Sequence, residues 1–153
     1  MTTAANVVQL QLQLRVAHPL GEMAPYFQGL QAGRAFASRC PACARTWFPP
    51  RPSCPDHRQG IAWVELPGSG RIVNVTFTEG PLPFGTDSAP RAFVLVAMEG
   101  AENQAFGRLA APPGSKAEGQ RVWISRAPGI WPHPSQAACY VLNEQDRQTE
   151  ALP

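Results

Sequence analysis

Hydrophobic and polar residues alternate along most of this chain, and few stretches carry a helical period. Residues Val8 to Val16 read VQLQLQLRV, with Leu10, Leu12, Leu14 and Val16 separated by Gln11, Gln13 and Arg15. A period of two puts the aliphatics on one face of a strand. Such a strand is either an edge of the protein's own sheet, a loosely ordered tail, or an arm that pairs with a partner's sheet. Glu22 to Ala32 (EMAPYFQGLQA) is the one segment with helical spacing. Tyr26, Phe27 and Leu30 form its apolar stripe, Pro25 is tolerated in the first turn, and Gly33 suits the position just past a helix end. The helix either covers the core or presents Tyr26 and Phe27 as docking aromatics.

Short strands are expected at Arg34 to Arg39 and at the returning Trp47-Phe48-Pro49-Pro50, and Ala62 to Leu66 leads out of this region. Pro67-Gly68-Ser69-Gly70 is a turn cluster and a candidate boundary. Beyond it the pattern is β throughout. In Arg71 to Thr78 the residues Val73, Val75 and Phe77 alternate with Asn74, Thr76 and Thr78, which predicts an apolar face built on the first set. Glu79 to Pro90 reads as a loop, Phe93 to Met98 as a buried strand, and Gln104 to Leu109, Gln120 to Ser125 and Ala138 to Leu142 as three more, with a polar loop over Ala111 to Gly119 that has room for one helical turn. Five short strands suit a small Greek-key barrel of the OB type or a small sandwich. The expected organisation is an arm over 1–20, a helix plus metal-binding module over 21–66, a barrel over 67–143 and a polar tail over 144–153.

Composition agrees with a mainly β chain. Proline (17) and glycine (13) are abundant among 153 residues, and both interrupt helices and central strands. Charged residues are 16% and the net charge is +2, too little to argue for nucleic-acid binding. No apolar run reaches the roughly 18 residues of a membrane span, and no basic leader with an apolar block opens the chain. A cytoplasmic location is therefore expected. Four cysteines in that compartment point to metal or reactivity before disulfides.

The cysteines fall into a pattern. Cys40-Pro41-Ala42-Cys43 and Cys54-Pro55-Asp56-His57 both have ligand-x-x-ligand spacing, ten residues apart. Two intervening residues let each pair turn onto one ion, and two such turns supply four ligands. Three thiolates and an imidazole favour zinc over magnesium or calcium, although thiolate-rich sites also hold iron. With all four positions filled by protein, such a site is structural. A segment of about 35 residues cannot bury enough surface to fold alone. Bound zinc contributes on the order of 10 kcal/mol in small metallo-domains. The competing readings are a redox pair at Cys40 and Cys43, which lacks the surrounding βαβ pattern, and a metal-free module. Cys139 has no neighbouring ligand in sequence and reads as a buried small hydrophobe. A nucleophilic pairing with His133 would need both brought together from a proline-rich loop.

Taken together, PYFQGLQAG, RCPACARTWFPPRPSCPDH and GSGRIVNVTFT resemble the rubredoxin-like zinc ribbon plus OB-fold proteins, a family long catalogued as a domain of unknown function. The resemblance runs from about Met23 to Leu142. The family's usual pattern has cysteine as fourth ligand and glycine after the second, where this chain has His57 and Ala44. The resemblance implies association with thiolase-fold enzymes and acyl-CoA chemistry. Members stand beside thiolases, hydroxymethylglutaryl-CoA synthases, thiolase-like aldolases and acyl-CoA hydratases as bridging subunits. One such assembly is a bacterial acyltransferase of secondary metabolism that acetylates monoacetylphloroglucinol. The expectation is thus a non-catalytic accessory subunit of an acyltransferase complex. Arg34, Arg39, Arg45, Arg51 and Arg58 are candidate contacts for CoA phosphates or an acidic partner, against the plainer reading of solvated surface charge. The alternatives are a single-stranded nucleic-acid-binding module, with Trp63, Phe106 and Trp123 as stacking candidates, and a stand-alone acyl-CoA-binding protein or enzyme.

Overall fold

A computed structural model of the chain describes residues 17, 19–78, 91–110, 117–126 and 138–148. The expected strand over Val8 to Val16, the loop over Glu79 to Pro90, most of the loop over Ala111 to Gly119, and His133 lie outside the described residues. A 3-10 turn (Gly21–Met23) leads into helix α1 (Ala24–Gln31), with Pro25 in its first turn. Gly33 has φ +69, the left-handed geometry that ends helices, so the chain turns there into strand β1 (Ala35–Arg39). Strand β2 (Thr46–Trp47) returns antiparallel to β1 with Ser38 opposite Trp47. Strand β3 (Ala62–Leu66), expected only as an exit from this region, pairs along the whole of β1, giving a sheet in the order β2-β1-β3.

The chain then changes sheet at Pro67-Gly68. Strands β4 (Ser69–Thr78), β5 (Arg91–Met98), β6 (Gln104–Leu109), β7 (Arg121–Ser125) and β8 (Cys139–Val141) close a barrel in the order β4-β5-β6-β8-β7, with β7 returning to β4. All pairs are antiparallel except β6 with β8. This is the Greek-key barrel of the OB type that the sequence predicts.

One expectation about the barrel is corrected. Val73 and Phe77 do not form the core face of β4: they are 42% and 57% exposed, while Ile72 is 2% exposed. Ile72 opposes Val96 and Asn74 opposes Leu95, so Val73 is the extra residue of a β-bulge. The bulge breaks the alternation, and Ile72 enters the core in place of Val73. Strand β5 lies mainly within the core through Ala92, Val94, Val96 and Met98, and turns Phe93 and Leu95 to the outer face. There Phe93 stacks on Phe106 of β6 at 5.5 Å.

A single hydrophobic cluster joins both sheets and the helix. Tyr26 and Leu30 of α1, Ala35 and Ala37 of β1, and Phe48 pack with Ile72, Val94, Val122, Ile124 and Tyr140 of the barrel. Polar contacts reinforce the junction: the Asn103 Oδ1 accepts from the Phe48 N–H at 2.8 Å, and the Glu102 N–H donates to the Thr46 carbonyl at 2.9 Å. No described helix is long and apolar enough to cross a membrane.

Candidate metal centre

Two turns of the same construction bring the four predicted ligands together. In the first, the Cys40 N–H donates to the Arg45 carbonyl at 2.9 Å and the Ala44 N–H to the Cys40 carbonyl at 2.8 Å. In the second, the Cys54 N–H donates to the Gln59 carbonyl at 3.2 Å and the Arg58 N–H to the Cys54 carbonyl at 2.8 Å. Each turn places the residue after its second ligand in the left-handed region, Ala44 at φ 59 and Arg58 at φ 51. Tight ligand-x-x-ligand turns force this geometry, and it is the reason glycine suits the position.

The Cys40, Cys43 and Cys54 sulfurs and a His57 ring nitrogen all lie within 4.8 Å of one another. The Cys43 and Cys54 sulfurs are 3.9 Å apart, and the His57 Nδ1 is 3.4 Å from Cys54 Sγ and 3.8 Å from Cys40 Sγ. A tetrahedron built from the usual Zn–S and Zn–N lengths has edges of about 3.8 Å between sulfurs and about 3.6 Å between sulfur and nitrogen. These donors and separations fit a single four-coordinate ion. Cys40 and Cys54 are buried, His57 is exposed, and Trp47 packs over the sulfurs.

The local electrostatics also favour thiolates at two of the three sulfurs. Burial opposes ionisation of Cys40, but the N–H groups of Cys43 and Ala42 and the Gln59 amide outweigh it and hold this thiol below its ordinary range. At Cys54 burial is likewise outweighed, by the N–H groups of His57 and Asp56. At Cys43 the Arg45 N–H favours the thiolate, yet burial and the adjacent Cys40 and Cys54 sulfurs outweigh it and raise the thiol. A cation removes that mutual repulsion. Gln59, whose Nε2 lies 3.7 Å from Cys40 Sγ, has no sequence signature as a supporting residue; only the folded turn brings it there.

The other candidate residues are dispersed. Arg45 pairs with Asp56 and so ties the two turns together, and it also approaches Glu102 at 4.0 Å. Arg51 lies over Trp47 and lines a cleft of about 630 Å³ whose apolar walls include Met23, Pro25, Ile61 and Trp63. Arg34 is on another side, forked onto Glu65 at 2.8 and 2.6 Å. Arg39 and Arg58 are exposed. Tyr26 is in the core, edge-on to Phe27 and Phe48, and Phe27 is half-buried. Trp63, Phe106 and Trp123 lie on β3, β6 and β7, and β8 separates the last two strands, so they form no continuous stacking platform. Cys139 is buried and its thiol is raised by desolvation, the reverse of what a nucleophile needs.

A short helix, a small sheet carrying a Cys3His cluster able to bind a metal ion, and a closed five-stranded barrel define a ribbon-and-barrel protein. Solved structures share this fold. A protein of unknown function from the DUF35 family of Sulfolobus solfataricus superposes with a TM-score of 0.55 at 16% identity, over 78% of this chain and 84% of that one. A chain of the Ltp2-ChsH2(DUF35) aldolase superposes with a TM-score of 0.62 at 20% identity, over 84% of this chain and 98% of that one. At these identities the likeness is one of fold. No protein-family model matches the sequence, and no curated protein matches it.

Proposed function

We propose that this chain is a non-catalytic scaffold subunit of a thiolase-type acyltransferase complex, in which Cys40, Cys43, Cys54 and His57 hold a structural zinc ion. The observation that carries this reading is the likeness, over 98% of its length, to a chain of a structure that joins a DUF35 component to an aldolase. The donor set supports zinc: three sulfurs and one imidazole within 4.8 Å of one another supply four donors, so a tetrahedral ion held by all of them has no position open for water or substrate. The zinc would supply cross-linking and no reaction. Buried, desolvated Cys139 fits a packing role.

In this reading the chain works in the cytoplasm and bridges larger subunits with thiolase-like and hydroxymethylglutaryl-CoA-synthase-like folds. The acyl acceptor is a small aromatic of secondary metabolism, of which monoacetylphloroglucinol is the specific candidate. The test is purification from the native host followed by mass spectrometry, with acetyl transfer assayed for each subunit alone and for the reconstituted complex. Copurification with a thiolase-fold enzyme, and activity that requires both, is the expected result. A stable monomer without such a partner, or acyl transfer by this chain alone, would overturn the proposal.

A further inference from the structure

A cleft of about 650 Å³ opens where the end of α1, the exit of β7 and the C-terminal 3-10 turn (Glu144–Gln148) meet. Its walls are Ala32, Gly33, Arg34, Arg126, Glu144 and Arg147. Four of these six residues are charged, and three of the four are arginines drawn from distant parts of the chain. The lining residues carry a formal charge of about +2, which Glu65, paired to Arg34 beside the cleft, lowers to about +1.

Two of the three guanidinium groups are held by contacts. Arg34 uses Nε and Nη2 to grip Glu65 and lies 4.6 Å over the Phe36 ring, which leaves Nη1 uncommitted among the described residues. Arg147 reaches the Pro67 carbonyl at 3.4 Å through Nη2 and the Glu144 carboxylate at 3.7 Å through Nη1. Arg126 has no ion-pair partner among the described residues, and its stem runs beside Gly33. Its Cγ and backbone nitrogen lie 3.3 Å from where a Cβ on Gly33 would stand, so glycine there admits it. The helix end nearby does not repel an anion strongly, because the Gln28, Gly29 and Leu30 carbonyls already accept from the N–H groups of Ala32, Gly33 and Arg34.

We propose that this cleft binds the diphosphate group of a small anionic ligand. Guanidinium forks match phosphate oxygens in pairs, and a diphosphate supplies two or three negative charges in a unit small enough for a cleft lined by three arginines. An acyl chain would find only Ala32 and Gly33 as apolar wall. The diphosphate belongs either to inorganic pyrophosphate or to a nucleotide-type cofactor such as CoA. The site stands independently of the scaffold assignment, since it rests on this chain's own residues.

Calorimetric titration of the full chain with pyrophosphate, and separately with CoA, tests the proposal. Pyrophosphate is expected to bind, with affinity that falls as salt is raised. Arg126→Ala is expected to weaken it by about tenfold or more, with Arg126→Lys intermediate because the charge stays and the fork is lost. Arg147→Gln serves as a second variant should Arg126→Ala fail to fold. Arg71→Gln removes the same charge from exposed β4, away from the cleft, and should leave binding unchanged. Binding of CoA with the same dependence on Arg126 supports the cofactor as the source; binding of pyrophosphate alone supports the inorganic anion. No heat with pyrophosphate at millimolar concentration, or an equal loss in Arg71→Gln and Arg126→Ala, overturns the site.

Discussion

Replacing Gly107 by alanine perturbs the seam where β6 meets β8 and the barrel closes. A Cβ at this position would lie 2.4 Å from Tyr140 Cε2, 2.6 Å from the Ala138 carbonyl oxygen and 3.0 Å from Ala138 Cβ. Tyr140 is fully buried, so its ring has no solvent to move into. Relief requires β8 to move away from β6, which strains two hydrogen bonds: Arg108 N–H to the Ala138 carbonyl at 2.9 Å and Ala110 N–H to the Tyr140 carbonyl at 2.8 Å. Overpacking of this kind costs about 1–3 kcal/mol. Weakening two hydrogen bonds adds roughly 1 kcal/mol. The expected loss is about 3 kcal/mol, or about 10 °C in Tm for a chain of this size. Urea titration followed by tryptophan fluorescence measures it, with an unchanged m-value as the check that the denatured state is unaltered. Gly60→Ala is the control, because nothing lies within 4 Å of its added carbon and its φ is not positive. A loss below about 1 kcal/mol for Gly107→Ala, or an equal loss in both variants, would refute the steric account of closure.

Three further outcomes follow from the metal centre and the surface pairs. Elemental analysis should find one zinc per chain in the native protein and none in Cys54→Ser, whereas His57→Cys should keep it. A metal-free native protein with normal Tm would remove the site. Ala44→Gly should raise stability by about 1 kcal/mol, since Ala44 occupies a left-handed position; equilibrium denaturation of the metal-loaded protein reads it. The Arg34 side chain holds the Glu65 carboxyl below its ordinary 4.5, and the Ser69 hydroxyl together with Arg121 does the same for Glu99. Folded values below unfolded ones mean stability that is complete above pH 4.5 and is lost as pH falls through the lowered values. A Tm-against-pH profile should therefore drop on its acid side, and the drop should shrink in the Glu65→Gln, Glu99→Gln double variant.

The convergence of Cys40, Cys43, Cys54 and His57 was legible in the sequence because its information is local: two residues between the members of each pair dictate a turn, and the turn brings them together. The strands of the barrel were legible for the same reason. The core face of β4 was legible at Val75, which packs against the core, but not at Ile72 and Val73, because a bulge is decided by pairing with β5, and one inserted residue reverses which side chain points inward before it. Arg126 and Arg147 carry no mark in the sequence as cleft residues. Their meeting with Arg34 depends on how β7 and the C-terminal turn return to the helix end. Tyr26 and Phe27 look alike in the sequence, and only packing against Phe48 separates the buried ring from the half-buried one.

The hydrophobic cluster that runs from Tyr26 and Phe48 into the barrel is shared by ribbon and barrel, and the two are expected to unfold as one unit. Chelating an ion held by the Cys3His cluster, were one bound, would then register at Trp123 on the barrel as well as at Trp47 beside the cysteines, in a single calorimetric transition. A partner that grips either end changes the free energy of the other through that common equilibrium.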